Sequence, residues 1–95
     1  MTDYIFLMHG GDTVGDWGIY IEGLVAKGVM RGGSAIGGGV CVRKGEPETG
    51  NITDYIRGYI KVEAESLEAA KALLPGNPVY EAGGVIKIRE LPRTD

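Results

Sequence analysis

The stretch at residues 56–74, IRGYIKVEAESLEAAKALL, constrains the fold of this chain more than any other. From Ile56 to Val62 every second residue is apolar or glycine, and the residues between them are polar. This period of two predicts a strand with one buried face. Ser66 suits the N-cap of a following helix, which Pro75 and Gly76 would end. A strand that leads directly into a helix is therefore the anchor of the predicted fold.

Two further elements are predicted in the N-terminal part of the chain. Residues 4–8 form a short apolar run between polar residues and glycines, which predicts a central strand buried on both faces. Residues 17–25 repeat apolar side chains at helical spacing, which predicts a helix of about three turns. Thr13 or Asp16 could cap its start, and Gly28 suits a left-handed conformation at its end.

The middle of the chain is rich in glycine. Residues 29–39, VMRGGSAIGGG, are predicted to form a connection, because they lack the GxxxxGK[ST] motif and the strand–loop–helix order of a phosphate loop. Residues 40–43, VCVR, are predicted to be the second strand. Residues 44–54 are predicted to form a long loop. Val85–Leu91 alternates apolar and polar residues and is predicted to be the last strand.

The predicted order is strand, helix, strand, strand, helix, strand within 95 residues. That order is typical of an α+β, ferredoxin-like βαββαβ fold, with a four-stranded antiparallel sheet and two helices on one face. The chain is long enough for one domain, which we assign to residues 1–95.

The predicted face away from the helices is basic, although the net charge of the chain is −3. Its side chains would be Cys41, Arg43, Arg57, Tyr59, Lys61, Glu63, Lys87 and Arg89. One interpretation is a solvated face of an open sheet. A second is that two protomers stack these faces into a barrel with a polar interior that holds a small anion. A third is single-stranded nucleic acid, which needs two or three aromatic residues for base stacking, whereas this face has only Tyr59.

For the second interpretation, the candidate ligand-binding residues are Ser34, Arg57, Tyr59, Lys61 and Arg89. Arginine and lysine pair well with carboxylates and phosphates. Ser34 could add a hydroxyl at the mouth of such a site.

His9, the only histidine, is the strongest candidate for acid–base chemistry. It ends an apolar strand beside two glycines, with Asp12 and Asp16 close in sequence to orient the imidazole. The alternative is a hydrogen-bonded histidine with a structural role. Neither carboxylate has the spacing of a metal ligand, so we predict no metal site and no cofactor.

Other classes of protein are disfavoured by composition. One cysteine, Cys41, excludes an internal disulfide and a cysteine-rich zinc site. No apolar run approaches 18 residues, and the N-terminus lacks the features of a signal peptide. We therefore expect a cytoplasmic protein that binds neither membranes nor nucleic acid.

The segment GYIKVEAESLEAAKALLPGNP, followed by EAGGVIKIREL, resembles the C-terminal half of the YCII-related (DGPF-type) family. The N-terminal YIFLMHGGD and the tryptophan-bearing first helix fit this family more loosely. The resemblance implies a ferredoxin-like protomer that dimerises through its sheet into an α/β barrel. Some members of the family resemble lyases or isomerases, with a His–Asp pair proposed as their active site, and others accompany extracytoplasmic sigma factors.

Two hypotheses for function follow. The first is a homodimeric barrel that binds a small anionic metabolite and catalyses proton transfer on it. The second is a non-enzymatic interaction or regulatory module, associated with the transcription apparatus. The chain departs from the family pattern in two places: the Asp-Gly-Pro-Phe motif is absent, and the first helix carries no histidine. The absent histidine favours the second hypothesis.

Overall fold

A computed structural model describes residues 1–10, 15–48 and 55–93. They form an α+β fold with a four-stranded antiparallel sheet, as predicted, and three helices instead of two. In chain order the elements are β1 (Thr2–His9), α1 (Trp17–Ala26), β2 (Met30–Ala35), β3 (Ile56–Ala64), α2 (Leu67–Lys71), α3 (Pro78–Glu81) and β4 (Val85–Leu91).

The strands lie in the order β2-β3-β1-β4, and every neighbouring pair is antiparallel. β1 is therefore central, with Phe6 opposite Ile60 on β3 and Ile88 on β4. The register shifts between Met8 and His9 in the β1–β3 ladder. It shifts again between Met30 and Gly32 in the β2–β3 ladder.

One face of the sheet carries the core. Tyr4, Phe6 and Met8 are buried, and residues from all three helices join the same apolar cluster. Ile5 and Leu7, which alternate with them, are only half-buried. The expectation that this strand is buried on both faces was wrong for the second face, because the three helices pack on the first.

The predicted helix caps are confirmed. Asp16 Oδ1 accepts a hydrogen bond from Ile19 N–H at 3.1 Å, and Ser66 Oγ accepts one from Ala69 N–H at 3.1 Å. Gly28 follows α1 with a φ of 73°, the left-handed conformation that favours glycine.

The second strand is not where the sequence pattern placed it. It is Met30–Ala35, inside the segment predicted to be a connection. Residues 40–43 form no regular strand, and Val40 and Val42 are 63% and 74% exposed. Glycine has no side chain to show an alternating pattern, so the strand was invisible to hydrophobic periodicity. Gly33 is required there, because a Cβ would lie 2.7 Å from Tyr59 O.

The second helix was predicted too long. α2 ends at Lys71, and α3 begins seven residues later at Pro78, in a segment predicted to be an irregular return. The start of α3 had a readable signal: Asn77 Oδ1 accepts from the backbone N–H groups of Val79 and Tyr80, and proline occupies the first helical position.

Because the helices share one face, the other face of the sheet carries no helix among the described residues. We call this side of the sheet the open face; its side chains include Ile5, Leu7, Tyr59, Lys61, Lys87 and Arg89. Among the same residues, no helix is both long and apolar enough to cross a membrane.

Candidate functional site

The register of the sheet sets the side chains of the open face in two rows. Directly opposed residues in an antiparallel ladder point to the same face. The pairings place Ser34, Tyr59, Leu7 and Lys87 in one row, from β2 to β4. They place Gly32, Lys61, Ile5 and Arg89 in the adjacent row.

Four of the five predicted ligand-binding residues, Ser34, Tyr59, Lys61 and Arg89, therefore share the open face. Ser34 lies opposite Tyr59, and such a pair has Cβ atoms about 5 Å apart. Arg57 is also exposed, but it sits beside the register shift in β1, where the regular rows end. Whether these residues bind a ligand remains a prediction.

The Lys61 side chain lies across β2 at Gly32. A Cβ built on Gly32 would be 3.4 Å from Lys61 Cε and 4.0 Å from Nζ. The absence of a side chain at Gly32 thus makes room for the lysine stem. Its ammonium group consequently lies on the β2 side of the face, near Gly32.

The carboxylates at the end of the open face are already paired. Arg93 Nη2 lies 2.9 Å from Asp3 Oδ1 and 2.8 Å from Glu63 Oε2. Arg31 Nη2 lies 3.3 Å from Glu63 Oε1. The hydrogen bond from Arg93 is the main reason that the pKa values of Asp3 and Glu63 are lowered, with Arg31 adding a further electrostatic contribution.

This pairing leaves positive charge unbalanced elsewhere on the face. The salt bridges found among residues 1–10, 15–48 and 55–93 include none to Arg57, Lys61, Lys87 or Arg89. An acidic protein therefore presents a locally basic surface, which attracts small anions.

Arg31 and Arg93 were missed by the sequence analysis, since Arg31 lies in the segment predicted to be a connection and Arg93 lies beyond the last predicted strand. The sequence held a weak signal for Arg93, because this residue closely follows the last predicted strand. The structure pairs Leu91 of that strand with Asp3, which brings Arg93 near the Asp3 carboxylate. Arg31 could not be recognised, because β2 itself was not.

His9 is held by its own strand. Its Nδ1 lies 3.0 Å from Leu7 O. A carbonyl oxygen only accepts, so Nδ1 donates, and in the neutral ring Nε2 is left as the proton acceptor. The orienting group is therefore a backbone carbonyl, and the histidine points to the open face because it alternates with buried Met8.

Of the two candidate carboxylate partners of His9, Asp16 does not take that role. The Asp16 side chain caps α1, in the helical layer on the opposite side of the sheet. Asp12 lies outside the described residues.

Cys41 and Arg43 do not belong to the sheet face on which they were predicted. Cys41 makes only an isolated bridge, and Arg43 is exposed in the segment that follows β2. Both predictions depended on a strand at residues 40–43 and were wrong for that reason. In the described part of the chain, no three His, Cys, Asp or Glu side chains group closely enough to hold a metal ion.

No family model, curated protein or solved structure matches this chain.

Proposed function

We propose that this protein is a homodimer that binds a small anionic metabolite between the open faces of its two copies. The observation that carries this proposal is Lys61, which has no carboxylate partner among the described residues and lies in the row next to that of Tyr59 and Ser34. An ammonium group with hydroxyl side chains in the neighbouring row suits a phosphate or carboxylate, since both anions accept several hydrogen bonds at once.

Three observations support the dimer. The sheet order β2-β3-β1-β4 is the one expected of a ferredoxin-like protomer, and the segment from Gly58 to Leu91 resembles the YCII-related family, whose members pair through such sheets. Ile5 and Leu7 also form a half-buried apolar strip down the middle of the open face. A second copy would remove that strip from water at about 25 cal/mol for each Å² of apolar surface.

Anion binding and pairing would reinforce each other. Stacking two open faces brings Lys61, Lys87 and Arg89 of both copies together, and like charges at short range repel. A phosphate or carboxylate between the faces offsets that repulsion. The proposed ligand thus belongs to the interface as much as to either copy.

The test compares the melting temperature in inorganic phosphate or succinate with that in chloride at equal ionic strength. A ligand that binds only the folded protein raises the melting temperature by mass action. We expect a rise for the wild-type chain, its loss in Lys61→Met, and its retention in Lys44→Met, which removes the same charge from an exposed loop. Equal behaviour of the two variants, or no rise in the wild-type chain, would contradict the proposal.

The catalytic part of the proposal depends on His9. Its Nδ1–H donates to Leu7 O, which leaves Nε2 of the neutral ring as the base for removing a proton from a carbon next to a carbonyl group. The second candidate function, a non-enzymatic interaction or regulatory module, is favoured by the use of Asp16 as a helix cap, which leaves no carboxylate hydrogen-bonded to His9 among the described residues.

Exchange of a carbon-bound proton with solvent deuterium distinguishes the enzyme from the interaction module. A panel of small 2-oxo acids in D₂O, followed by proton NMR, reports removal of the proton on carbon 3. An enzyme of the proposed kind exchanges that proton faster than buffer does, and His9→Gln abolishes the difference while keeping the phosphate-induced thermal shift. Exchange equal to buffer for the wild-type chain selects the interaction module.

A further inference from the structure

We propose that a cleft on the other side of the sheet binds a flat, uncharged aromatic molecule. It lies between α1 and the β2–β3 edge, on the helix-covered face, and its volume is about 440 Å³. Small-molecule sites span ~300–1,000 Å³. The cleft takes in neither Lys61 nor His9, although three candidate ligand-binding residues, Ser34, Arg57 and Tyr59, also line it at the β2–β3 edge.

The floor of the cleft is formed by residues with little or no side chain. Gly33, Ala35 and Gly58 lie on it. The pairing of Ala35 with buried Gly58 gives both the same face of the sheet. A Cβ on Gly58 would come within 3.2 Å of Ser34 O and 3.6 Å of Met8 Cε. The floor is therefore a flat piece of backbone, a surface against which a planar ring packs closely.

The walls are apolar and partly exposed. Trp17 and Ile21, one turn apart on α1, form one side, and Met8 and Met30 contribute thioethers. Thioether sulphur makes favourable contacts with aromatic rings, and methionine adapts its shape to an occupant. The half-exposed Trp17, Ile21 and Met30 would lose apolar contact with water when the cleft is filled.

Tyr20 packs against Trp17 and fixes the position of its ring. The Trp17 ring meets that of Tyr20 edge-on, with centroids 6.2 Å apart and an interplanar angle of 71°. The Tyr20 hydroxyl in turn donates to Leu73 O at 2.8 Å. The tryptophan wall is thus tied to the segment after α2, so the cleft is largely formed before any molecule enters.

The polarity of the lining residues determines which class of molecule the cleft can bind. Among the described residues, the polar ones that line the cleft are Ser34, Arg57 and Tyr59, and all three belong to its β2–β3 rim. The α1 side is formed by Trp17 and Ile21. A molecule seated on the floor therefore meets mostly carbon and sulphur, which selects an aromatic hydrocarbon framework over a sugar, a nucleotide or a free amino acid.

The test uses N-phenyl-1-naphthylamine, an uncharged probe that does not respond to the basic open face. Trp17 is the only tryptophan, so energy transfer from it to bound probe reports this site directly. We expect saturable transfer with one probe per chain. Ala35→Leu, which fills the floor, should weaken binding at least tenfold, while Ala26→Leu, which adds the same side chain on the exposed end of α1, should not.

Amide chemical-shift mapping on the wild-type protein keeps the test decisive if Ala35→Leu does not fold. Bound probe should shift the amides of Gly33, Ala35 and Gly58 and leave those of Ile5 and Arg89 unchanged. The inference is overturned by unsaturable transfer, by shifts confined to other residues, or by a folded Ala35→Leu variant that binds the probe as tightly as the wild type.

Discussion

Gly84 shows how closely the segments before β4 are packed. A Cβ at this position would lie 2.5 Å from Val79 Cγ1, 2.9 Å from His9 O and 3.0 Å from Val79 O. Two of those atoms are backbone oxygens that cannot move aside easily. The Gly84 N–H also donates to Val79 O at 2.8 Å, so the close approach is part of a hydrogen bond that joins α3 to β4.

We therefore expect Gly84→Ala to lower the free energy of unfolding by about 1–3 kcal/mol, the usual cost of forcing extra volume into a packed site. The matched control is Gly23→Ala in α1, where a Cβ would meet nothing within 4 Å. That change should raise stability by about 0.5–1 kcal/mol, because alanine favours a helix interior. Urea denaturation measures both. A neutral Gly84→Ala would mean that the chain relaxes around this position.

Among the described residues, Asn77 is the polar residue whose side chain is fully buried. Its Oδ1 caps α3, while its Nδ2 has no hydrogen-bond partner within the described ranges. Asn77 therefore starts α3 through its Oδ1, and Pro78 follows it at the first helical position.

At the scale of elements, α2 depends on its cap because it has only five residues. Ser66 Oγ satisfies Ala69 N–H, one of the four N–H groups that a helix start leaves without partners. We expect Ser66→Ala to cost about 1 kcal/mol of stability and Ser66→Asp to cost much less, since aspartate also caps well and suits the helix dipole. Thermal or urea unfolding tests this, and equal losses in the two variants would argue that the cap is unimportant.

Arg93 joins the end of the chain to β1 and β3, and this link predicts an acid-dependent loss of stability. Asp3 and Glu63 have lower pKa values in the folded protein than in the unfolded chain, chiefly because Arg93 hydrogen-bonds to both. Their contribution is complete above the unfolded carboxyl pKa, about 4. As the pH falls from there through the lowered folded values, the unfolded state takes up protons first, and the contribution is lost.

Stability measured as a function of pH should therefore decline more steeply below about pH 4.5 in the wild-type chain than in Arg93→Gln. The control, Arg43→Gln, removes the same charge from an exposed residue that makes no salt bridge among the described residues, and should keep the wild-type slope. Parallel curves for all three proteins would show that Arg93 does not influence these carboxyl groups in solution.

The whole molecule is thin, with extents of 46 × 39 × 19 Å, because a single layer of helices covers a single sheet. This shape leaves the apolar strip of Ile5 and Leu7 half-exposed, with Lys61 of β3 on one side and Lys87 and Arg89 of β4 on the other. A chain of 95 residues buries only roughly 60–65% of its unfolded surface, so a second copy would add substantially to its stability.

We expect sedimentation equilibrium to show a dimer that is tighter in phosphate than in chloride of equal ionic strength. Leu7→Arg should yield a monomer, because it adds a cation to the middle of the proposed interface. Leu67→Arg, the same change on an exposed residue of the helical layer, should leave the dimer intact. A wild-type monomer at micromolar concentration, or a Leu7→Arg dimer, would contradict pairing through the open face.

Much of the architecture was present in local patterns. The alternation after Ile56, the caps at Asp16 and Ser66, and the glycine after α1 each act within a few residues, so the sequence alone determined β3 and the starts of α1 and α2. β2 was missed because its pairing depends on the backbone of Gly32 and Gly33 against β3, a contact that no side-chain period reveals.

The candidate sites divide in the same way. The sequence by itself determined that basic residues alternate with the core residues of β3 and β4, because alternation is a property of a single strand. Only the tertiary structure decided that Arg93 and Arg31 neutralise Asp3 and Glu63, that Asp16 lies away from His9, and that a cleft opens beside β2. Those facts depend on residues distant in sequence meeting in space, and their contacts are set by packing and register.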